Sequence, residues 1–230
     1  MKKILVVCLM LFAHAAWAGD YEDGVAAYEN GNYAVALEKF KKAAAKGDPQ
    51  AQSALGIMYT EGQGVTQNYA EAFNWYMLAA KQEQVFAQLK VGVMYGAGKG
   101  VAQNHTEALK WYKLAAEQGS ELAQLRVGLT YEAGQGVERS YVEALKWYIL
   151  AAEQNNTSAQ KNISRIYANG NGVVQNFVKA HMWLNLAAAN GDNDAIKGRD
   201  LVAKLMSQQQ IAQAQQMASA CQASNYKNCD

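Results

Sequence analysis

Two Ser-x-x-Lys sequences are the closest that this chain comes to a catalytic motif. In serine acylases, this spacing places a lysine amine near the serine hydroxyl that attacks a carbonyl carbon. The spacing occurs at Ser158 and Lys161 and again at Ser224 and Lys227. Neither pair has the Ser-Asp-Asn or Lys-Thr-Gly companion of such enzymes, and a serine is ordinary in a first helical turn. The sequence therefore predicts no catalytic residue.

The histidines, cysteines and glycine-rich loops suggest no metal or cofactor site. His105 is expected to be an exposed first-turn residue and His181 a groove or surface residue, and neither has a second ligand at metal-binding spacing. The recurring Gly-x-Gly-Val follows a helix and lacks the Lys-Ser/Thr ending of a phosphate loop. We therefore interpret it as a structural feature of the loop between two helices. No cofactor is predicted.

The first 18 residues have the composition of a secretory signal peptide. Lys2 and Lys3 precede a short apolar run, and Ala16-Trp17-Ala18 is typical of a signal peptidase site. We expect cleavage after Ala18, no stable membrane insertion, and a periplasmic or secreted bacterial protein. Removing the two lysines changes the formal net charge from +1 to −1, which favours neither nucleic acid nor an anionic membrane as a partner.

The same cleavage would leave two cysteines, Cys221 and Cys229, eight residues apart near the end of an exported chain. An oxidising compartment favours a disulfide between such a pair. Two free thiols remain the alternative, because the spacing alone does not fix the geometry.

A 36-residue repeat organises most of the remaining chain. Glu107 to Gly119 and Glu143 to Asn155 differ at only two positions, and single residues recur with the same period. The helical spacing of apolar residues before and after each Gly-x-Gly indicates two helices, A and B, per repeat. The periodic columns are Tyr59, Tyr95, Tyr131 and Tyr167; Trp75, Trp111, Trp147 and Trp183; and Gly64, Gly100, Gly136 and Gly172.

Polar residues predict where the helices begin. Asn68, Asn104 and Ser140 each precede a glutamate by three residues, which is the spacing of a capping box, and Ser207 precedes Gln210 in the same way. The junction at Glu83 and Gln84 has neither a glycine nor a strong cap, so we expect it to be the softest joint in the array.

The repeats and their flanks predict an all-α, right-handed α-solenoid. The expected segments are a signal peptide over 1–18, a hairpin over 19–47 that resembles a tetratricopeptide unit, repeats over 48–83, 84–119, 120–155 and 156–191, and capping helices with a disulfide-tied tail over 192–230. We interpret residues 192–222 as a closing helical pair.

The pattern A-x-x-x-L-G-x-x-Y-x-x-G-x-G-V followed by A-x-x-W-x-x-x-A-A-x-x-G resembles the Sel1-like repeat, a relative of the tetratricopeptide repeat. The resemblance implies a non-enzymatic adaptor that holds other proteins at the bacterial envelope or outside the cell. One cysteine-rich branch of the family is discussed as penicillin-binding, but the repeats of this chain contain no cysteine. The fourth copy departs at Ser164, where the others have glycine.

Helix A lines the inner surface of a solenoid of this kind, so its variable positions are candidates for partner binding. Three columns vary: Ala54, Lys90, Arg126, Asn162; Ile57, Val93, Leu129, Arg165; and Thr60, Gly96, Glu132, Ala168. They predict a groove in which Lys90, Arg126, Asn162, Arg165 and Glu132 contact a protein or peptide segment bound by a monomer. The alternatives are that Lys90 and Arg126 are merely solvated charges, or that the protein is a cell-wall-directed enzyme or peptidoglycan-binding protein.

Overall fold

The structure is a computed structural model that describes residues 19–227 and residue 229; the predicted signal peptide lies outside the described residues. Helices are the only regular secondary structure in this part of the chain. The first, α1, covers residues 19–29. The others are α2 (Tyr33–Ala45), α3 (Pro49–Glu61), α4 (Tyr69–Ala80), α5 (Val85–Ala97), α6 (His105–Glu117), α7 (Glu121–Ala133), α8 (Tyr141–Ala152), α9 (Thr157–Asn169), α10 (Phe177–Ala189), α11 (Asn193–Ala203) and α12 (Gln208–Ala223).

The contacts between helices divide the chain into two compact units. The first unit ends at Trp111 and the second begins at Tyr112, so the boundary falls inside α6. In the first unit, α3 packs closely against α4, and each also contacts the neighbouring helix of the array, α2 or α5. In the second unit, the close pairs are α7 with α8 and α9 with α10. In these three repeats an A helix is thus packed on a B helix, as the periodicity predicts.

The periodic tryptophans join the core of one helical pair to the next. In the first unit, Trp75 of α4 packs against the core around Phe40 and Leu55, and Trp111 packs against the core that contains Val91. In the second unit, Trp183 is fully buried in a core shared with Ile163. Burying an aromatic ring of this size contributes a few kcal/mol, about 2–3 for a large apolar side chain.

The predicted N-terminal caps are present, but the predicted capping boxes are only half formed. The Asn68 side chain accepts hydrogen bonds from the amides of Ala70 and Glu71, whereas the amide of Asn68 donates to the Tyr59 carbonyl at 2.9 Å. The equivalent amides of Asn104, Ser140 and Asn176 donate to Tyr95, Tyr131 and Tyr167. The carbonyl of each helix A tyrosine therefore replaces the glutamate of a capping box. A complete box forms only at Ser207 and Gln210 among the helices whose caps the structure describes.

The junction between α4 and α5 has a cap that the sequence analysis did not expect. Glu83 adopts the left-handed conformation at φ +62°, as Asn155 does at the corresponding place in a later junction. The side chain of Gln84 then accepts a hydrogen bond from the Ala87 amide. A glutamate in this conformation costs about 1 kcal/mol more than a glycine, but the helix start is capped.

Residues 192–222, which we interpret from the sequence as a closing helical pair, contain α11 and all but the last residue of α12. Both α11 and α12 pack mainly against α10 rather than against each other. On the α11 side, Leu184 and Ala187 of α10 meet Ala195. On the α12 side, Ala214 and Ala218 join the core of the last repeat. The last B helix is therefore covered by two helices.

A column of buried glutamines links successive helices. Gln52, Gln88, Gln124 and Gln160 stand 36 residues apart at the second buried position of each A helix, and all are at most 6% exposed. In the first three copies, the side-chain amide donates to a carbonyl in the last turn of the preceding B helix, Ala44, Ala80 or Ala116. These carbonyls already accept the backbone amides of Gly47, Glu83 and Gly119, so each glutamine adds a second hydrogen bond that ties the A helix to the end of the preceding B helix.

The fourth copy breaks this arrangement. In earlier repeats a second glutamine, 30 residues on, donates to the side-chain oxygen of the first: Gln82 to Gln52 at 2.8 Å and Gln154 to Gln124 at 2.9 Å. The corresponding residue for Gln160 is Asn190, which is one methylene shorter and bonds Asn155 instead. The Gln160 side-chain oxygen is buried without a hydrogen-bond partner among the described residues.

We expect Asn190→Gln to stabilise the protein by about 1 kcal/mol, because it would return a donor to a buried acceptor. The measurement is urea unfolding followed by circular dichroism. Gln154→Asn is the matched control: it removes the donor from Gln124 and should destabilise by a similar amount. A loss for Gln154→Asn without a gain for Asn190→Gln would contradict the assignment of the shortfall to side-chain length.

Candidate functional site

Three of the five predicted partner-binding residues come together in the second unit. Glu132 lies at the end of α7, and Asn162 and Arg165 lie one turn apart on α9. The Arg165 guanidinium donates to both carboxylate oxygens of Glu132, one of them at 2.8 Å, and to the Asn162 side-chain oxygen at 3.1 Å. This two-point contact joins the A helices of consecutive repeats.

Sequence reasoning missed a fourth member, Tyr148 of α8. Its hydroxyl donates to Glu132 at 2.7 Å, and its ring is fully buried. Burial and the hydrogen bond to Glu132 raise the pKa of the Tyr148 phenol. Burial alone would raise the pKa of Glu132, but hydrogen bonds from Arg165 and Tyr148 hold it below its ordinary value. Tyr148 is part of the periodic packing pattern, so its type alone gave no sign of a polar role.

These contacts change which charge is available to a partner. Glu132 is largely shielded, with a side chain 12% exposed, whereas that of Arg165 is 47% exposed. The pair is internally neutralised, so Arg165 is held by its own protein and does not offer an open cation. Arg126 lies six residues before Glu132 on α7. It is exposed and makes no ion pair within the described residues. It is the stronger candidate for contacting an acidic group.

Lys90 belongs to the first unit and has a different environment. It is half-buried, and its ammonium group lies 4.9 Å from the centre of the Phe86 ring on the preceding turn of α5. Such a cation–π contact stabilises by about 0.5–1 kcal/mol at an exposed site. Phe86 is itself 37% exposed, so the two side chains form one amphipathic surface feature.

The Ser-x-x-Lys spacings do not bring amine and hydroxyl together. The Lys161 amine bonds Asp192 at 2.7 Å, and this hydrogen bond holds the pKa of Asp192 below its ordinary value. The Lys227 amine lies 3.4 Å from the Glu153 carboxylate, while the Ser224 hydroxyl donates to the carbonyl groups of Cys221 and Lys227. Each lysine is thus paired with an acid and not with its serine.

The prediction for His181 is wrong: it is 2% exposed, not a groove or surface residue. Its Nδ1 lies 3.1 Å from the Asn185 side-chain nitrogen, and α11 places Arg199 nearby. Burial, followed by the Arg199 charge, lowers the pKa of His181. The signal was present, since the same register holds the buried Leu109 and Leu145 in earlier copies. His105 is the first residue of α6 and is half-buried.

In the described chain the two cysteines lie together, whereas the side chains that could bind a metal do not form a cluster. Cys221 and Cys229 are joined in the structure, with Cα atoms 5.0 Å apart. No three His, Cys, Asp or Glu side chains in residues 19–227 and 229 lie close enough to hold a metal ion. Across the same residues, we find no helix with the length and apolar character to cross a membrane.

The family model described as Sel1 repeat matches the chain four times, at residues 49–83, 85–120, 122–156 and 157–192. A Sel1 repeat protein from Oxalobacter formigenes is 35% identical, with a TM-score of 0.72 over 76% of this chain and 72% of that one. None of the curated proteins compared with the chain matches it.

Two further solved structures are similar. The first, c5321, is a protective antigen of uropathogenic Escherichia coli strains with an SLR fold; it is 31% identical, with a TM-score of 0.81. The match covers 92% of this chain but 47% of c5321, so the chain spans about half that protein. A sel1 repeat protein from Klebsiella pneumoniae is 20% identical, with a TM-score of 0.52 over 83% of this chain and 95% of that one, and shares the fold.

These likenesses confirm the predicted class, an all-α solenoid of helix–loop–helix repeats with a period near 36 residues. Four family matches and two relatives above 30% identity show that the chain belongs to the Sel1 repeat family.

Proposed function

We propose that this protein is a non-enzymatic adaptor that binds a protein or peptide segment on the exposed surface of its A helices. Sel1 repeats generally mediate protein–protein interaction, and proteins built from them are typically scaffolds. The observation that carries the proposal is a difference in exposure between two neighbouring residues of one helix. In α7, Val127 is fully buried while its neighbour Arg126 is exposed and without an ion pair in the described chain.

The same contrast supports a particular binding chemistry. Packing residues of the A helices keep their type from copy to copy, whereas a partly exposed column changes from Lys90 to Arg126 to Asn162. An arginine presents a planar set of donors that fits a carboxylate, so Arg126 would bind an acidic group of the partner. The Glu132–Arg165 pair, whose glutamate lies six residues further along α7, would contribute a rigid polar group, because its atoms are already held by hydrogen bonds.

We further propose that the protein acts as a monomer at the bacterial envelope or after secretion. The support comes from the sequence: a signal-like N-terminus and a pair of cysteines at the other end. The structure is compatible with a Cys221–Cys229 disulfide. Cell-wall-directed activity has less support, since both lysines of the Ser-x-x-Lys spacings are paired with acids.

The test is a crosslinked pull-down from bacterial envelope extracts with the mature chain. We expect a stoichiometric protein partner for the wild type and its loss for Arg126→Glu, because charge reversal would repel the acidic group. Lys204→Glu is the matched control: it reverses an exposed charge at the end of α11 and should retain the partner. Retention by Arg126→Glu, with unchanged thermal unfolding, would remove Arg126 from the binding surface.

A further inference from the structure

One face of the last B helix is covered by the chain itself. Met182, Trp183 and Leu186 of α10 are all fully buried and share a core with Ala214 and Ala218 of α12. The neighbouring face of α10, at Leu184 and Ala187, packs on α11, just as α4 packs on α5 and α8 packs on α9. The additional element on α10 is therefore α12, and the face that it covers is defined by residues 182, 183 and 186.

The same register is open on α4, α6 and α8, where Leu78, Leu114 and Leu150 are all exposed, and α8 is the nearest of the three to α10 along the chain. Lys146, Trp147 and Leu150 stand 36 residues before Met182, Trp183 and Leu186. Leu150 is 43% exposed, Lys146 is exposed, and Trp147 is half-buried. A leucine and a tryptophan one turn apart thus form an apolar strip on α8, which we call the α8 strip.

The chain shows what kind of element fits such a strip. No Asp, Glu, Lys or Arg occurs from Leu205 to Tyr226, so α12 carries no formal charge. Its buried side has the small residues Ala214 and Ala218 at an i, i+4 spacing, followed by Cys221. Small residues at this spacing let a second helix approach closely, and the tryptophan and leucine supply the buried apolar area.

We propose that the α8 strip is a second interaction surface, which docks an uncharged amphipathic helix of a partner protein with small residues at i and i+4 on its buried side. The occupant is inferred from the interface between α10 and α12, because the α10 residues of that interface stand at the same repeat positions as the α8 strip. This surface lies on a B helix and is separate from the A-helix surface of the proposed adaptor function.

The charged residues beside the strip explain why it differs from the covered face. On α8, the Lys146 amine bonds Glu143 at 2.6 Å, one turn back along the helix. On α10, Lys179 and Met182 replace this ion pair. A permanently covered face can be wholly apolar, whereas a surface that is free part of the time needs a polar rim. The Lys146 stem can still pack beside a docked helix while its amine stays with Glu143.

The test uses a fluorescein-labelled peptide of residues 207–224 with Cys221→Ser, titrated with the folded mature chain and followed by fluorescence anisotropy. We expect saturable binding, a loss of about tenfold or more in affinity for Leu150→Glu, and a smaller loss for Leu150→Ala, which only shortens an exposed side chain. Leu201→Glu, at a leucine of α11 that is 62% exposed, is the matched control and should bind as the wild type does.

The outcomes separate this surface from the adaptor surface. Arg126→Glu should leave peptide affinity unchanged, so the peptide assay does not depend on the proposed function. No saturable binding to the wild type would overturn the proposal. Binding that survives Leu150→Glu would also overturn it, since the peptide would then occupy another place, such as α10 after displacement of α12.

Discussion

Gly100→Ala should destabilise the protein by about 3–4 kcal/mol, the largest effect that we expect from adding one methyl group. Gly100 has φ +74°, and a Cβ there would lie 2.1 Å from the Tyr69 carbonyl oxygen and 2.4 Å from its carbon. The left-handed conformation costs an alanine about 1–2 kcal/mol. Overpacking adds about 1–3 kcal/mol, because the clash is with backbone rather than with a movable side chain.

The backbone that Gly100 meets has little freedom to move. Tyr69 is the first residue of α4, directly after the N-cap Asn68, whose side chain and amide are both hydrogen-bonded. The Gly-x-Gly loop of one repeat therefore rests on the first turn of the preceding B helix. Gly64 shows the same approach, with a Cβ position 2.8 Å from the Tyr33 carbonyl oxygen.

Gly47→Ala is the control for conformation without crowding. Gly47 also has a positive φ, +96°, but a Cβ there would meet nothing within 4 Å. Gly47→Ala should therefore lower the free energy of unfolding by only about 1–2 kcal/mol. In thermal unfolding, we expect Gly100→Ala to lower the Tm by roughly 6–12 °C and Gly47→Ala by roughly half that or less. Equal shifts would show that the loop does not press on α4.

Periodicity predicted most of the fold because each repeat obeys local rules. The glycines after each A helix, the caps before each B helix and the apolar spacing depend on neighbours within a few residues. Gly62, Gly98, Gly134 and Gly170 are indeed left-handed residues at helix ends. Such features can be recognised in one copy and checked in the others.

Interactions between helices were predicted less well. The Glu132–Arg165 contact joins residues 33 apart, and no sequence period shows which variable side chains face each other across two A helices. Both residues were assigned to the groove, but as partner contacts and not as partners of one another. Whether they or Arg126 bind another protein stays a prediction.

Buried polar residues were the other difficulty. The glutamine column was visible as a repeated Ala-Gln, yet glutamine is usually exposed, so its burial and its hydrogen bond to the end of the preceding helix were missed. His181 was misplaced for a related reason: its polarity was given more weight than its register, which is that of two buried leucines. In a repeat protein, the burial of the equivalent residues in other repeats predicts the burial of a residue better than its own type does.

Ser164, the departure from the family pattern in the fourth copy, leads to the second large prediction. In the third copy, a Cβ on Gly128 would lie 2.5 Å from the buried Tyr148 ring, and Gly56 stands in the same relation to Tyr76 at 2.6 Å. In the fourth copy, Leu184 replaces the tyrosine 20 residues on. Leu184, which is smaller than a tyrosine, thus leaves room on the facing A helix for Ser164, which is 3% exposed.

Gly128→Ser should therefore destabilise by about 3 kcal/mol, since the Tyr148 ring is enclosed in the core and its hydroxyl is tied to Glu132. Gly198→Ser is the matched control in a helix, where a Cβ would meet only the flexible end of Leu184 at 3.3 Å. It should change stability by less than about 1 kcal/mol.

The decisive measurement is a double-mutant cycle with Tyr148→Leu, which rebuilds the fourth copy's pair in the third copy. Tyr148→Leu alone should cost about 2–3 kcal/mol through the lost ring and hydroxyl contacts. If the glycine is needed to accommodate the ring, the double variant should lose at least about 1–2 kcal/mol less stability than the two single losses added together. Simple additivity in urea unfolding would mean that the pairing of Ser164 with Leu184 is incidental.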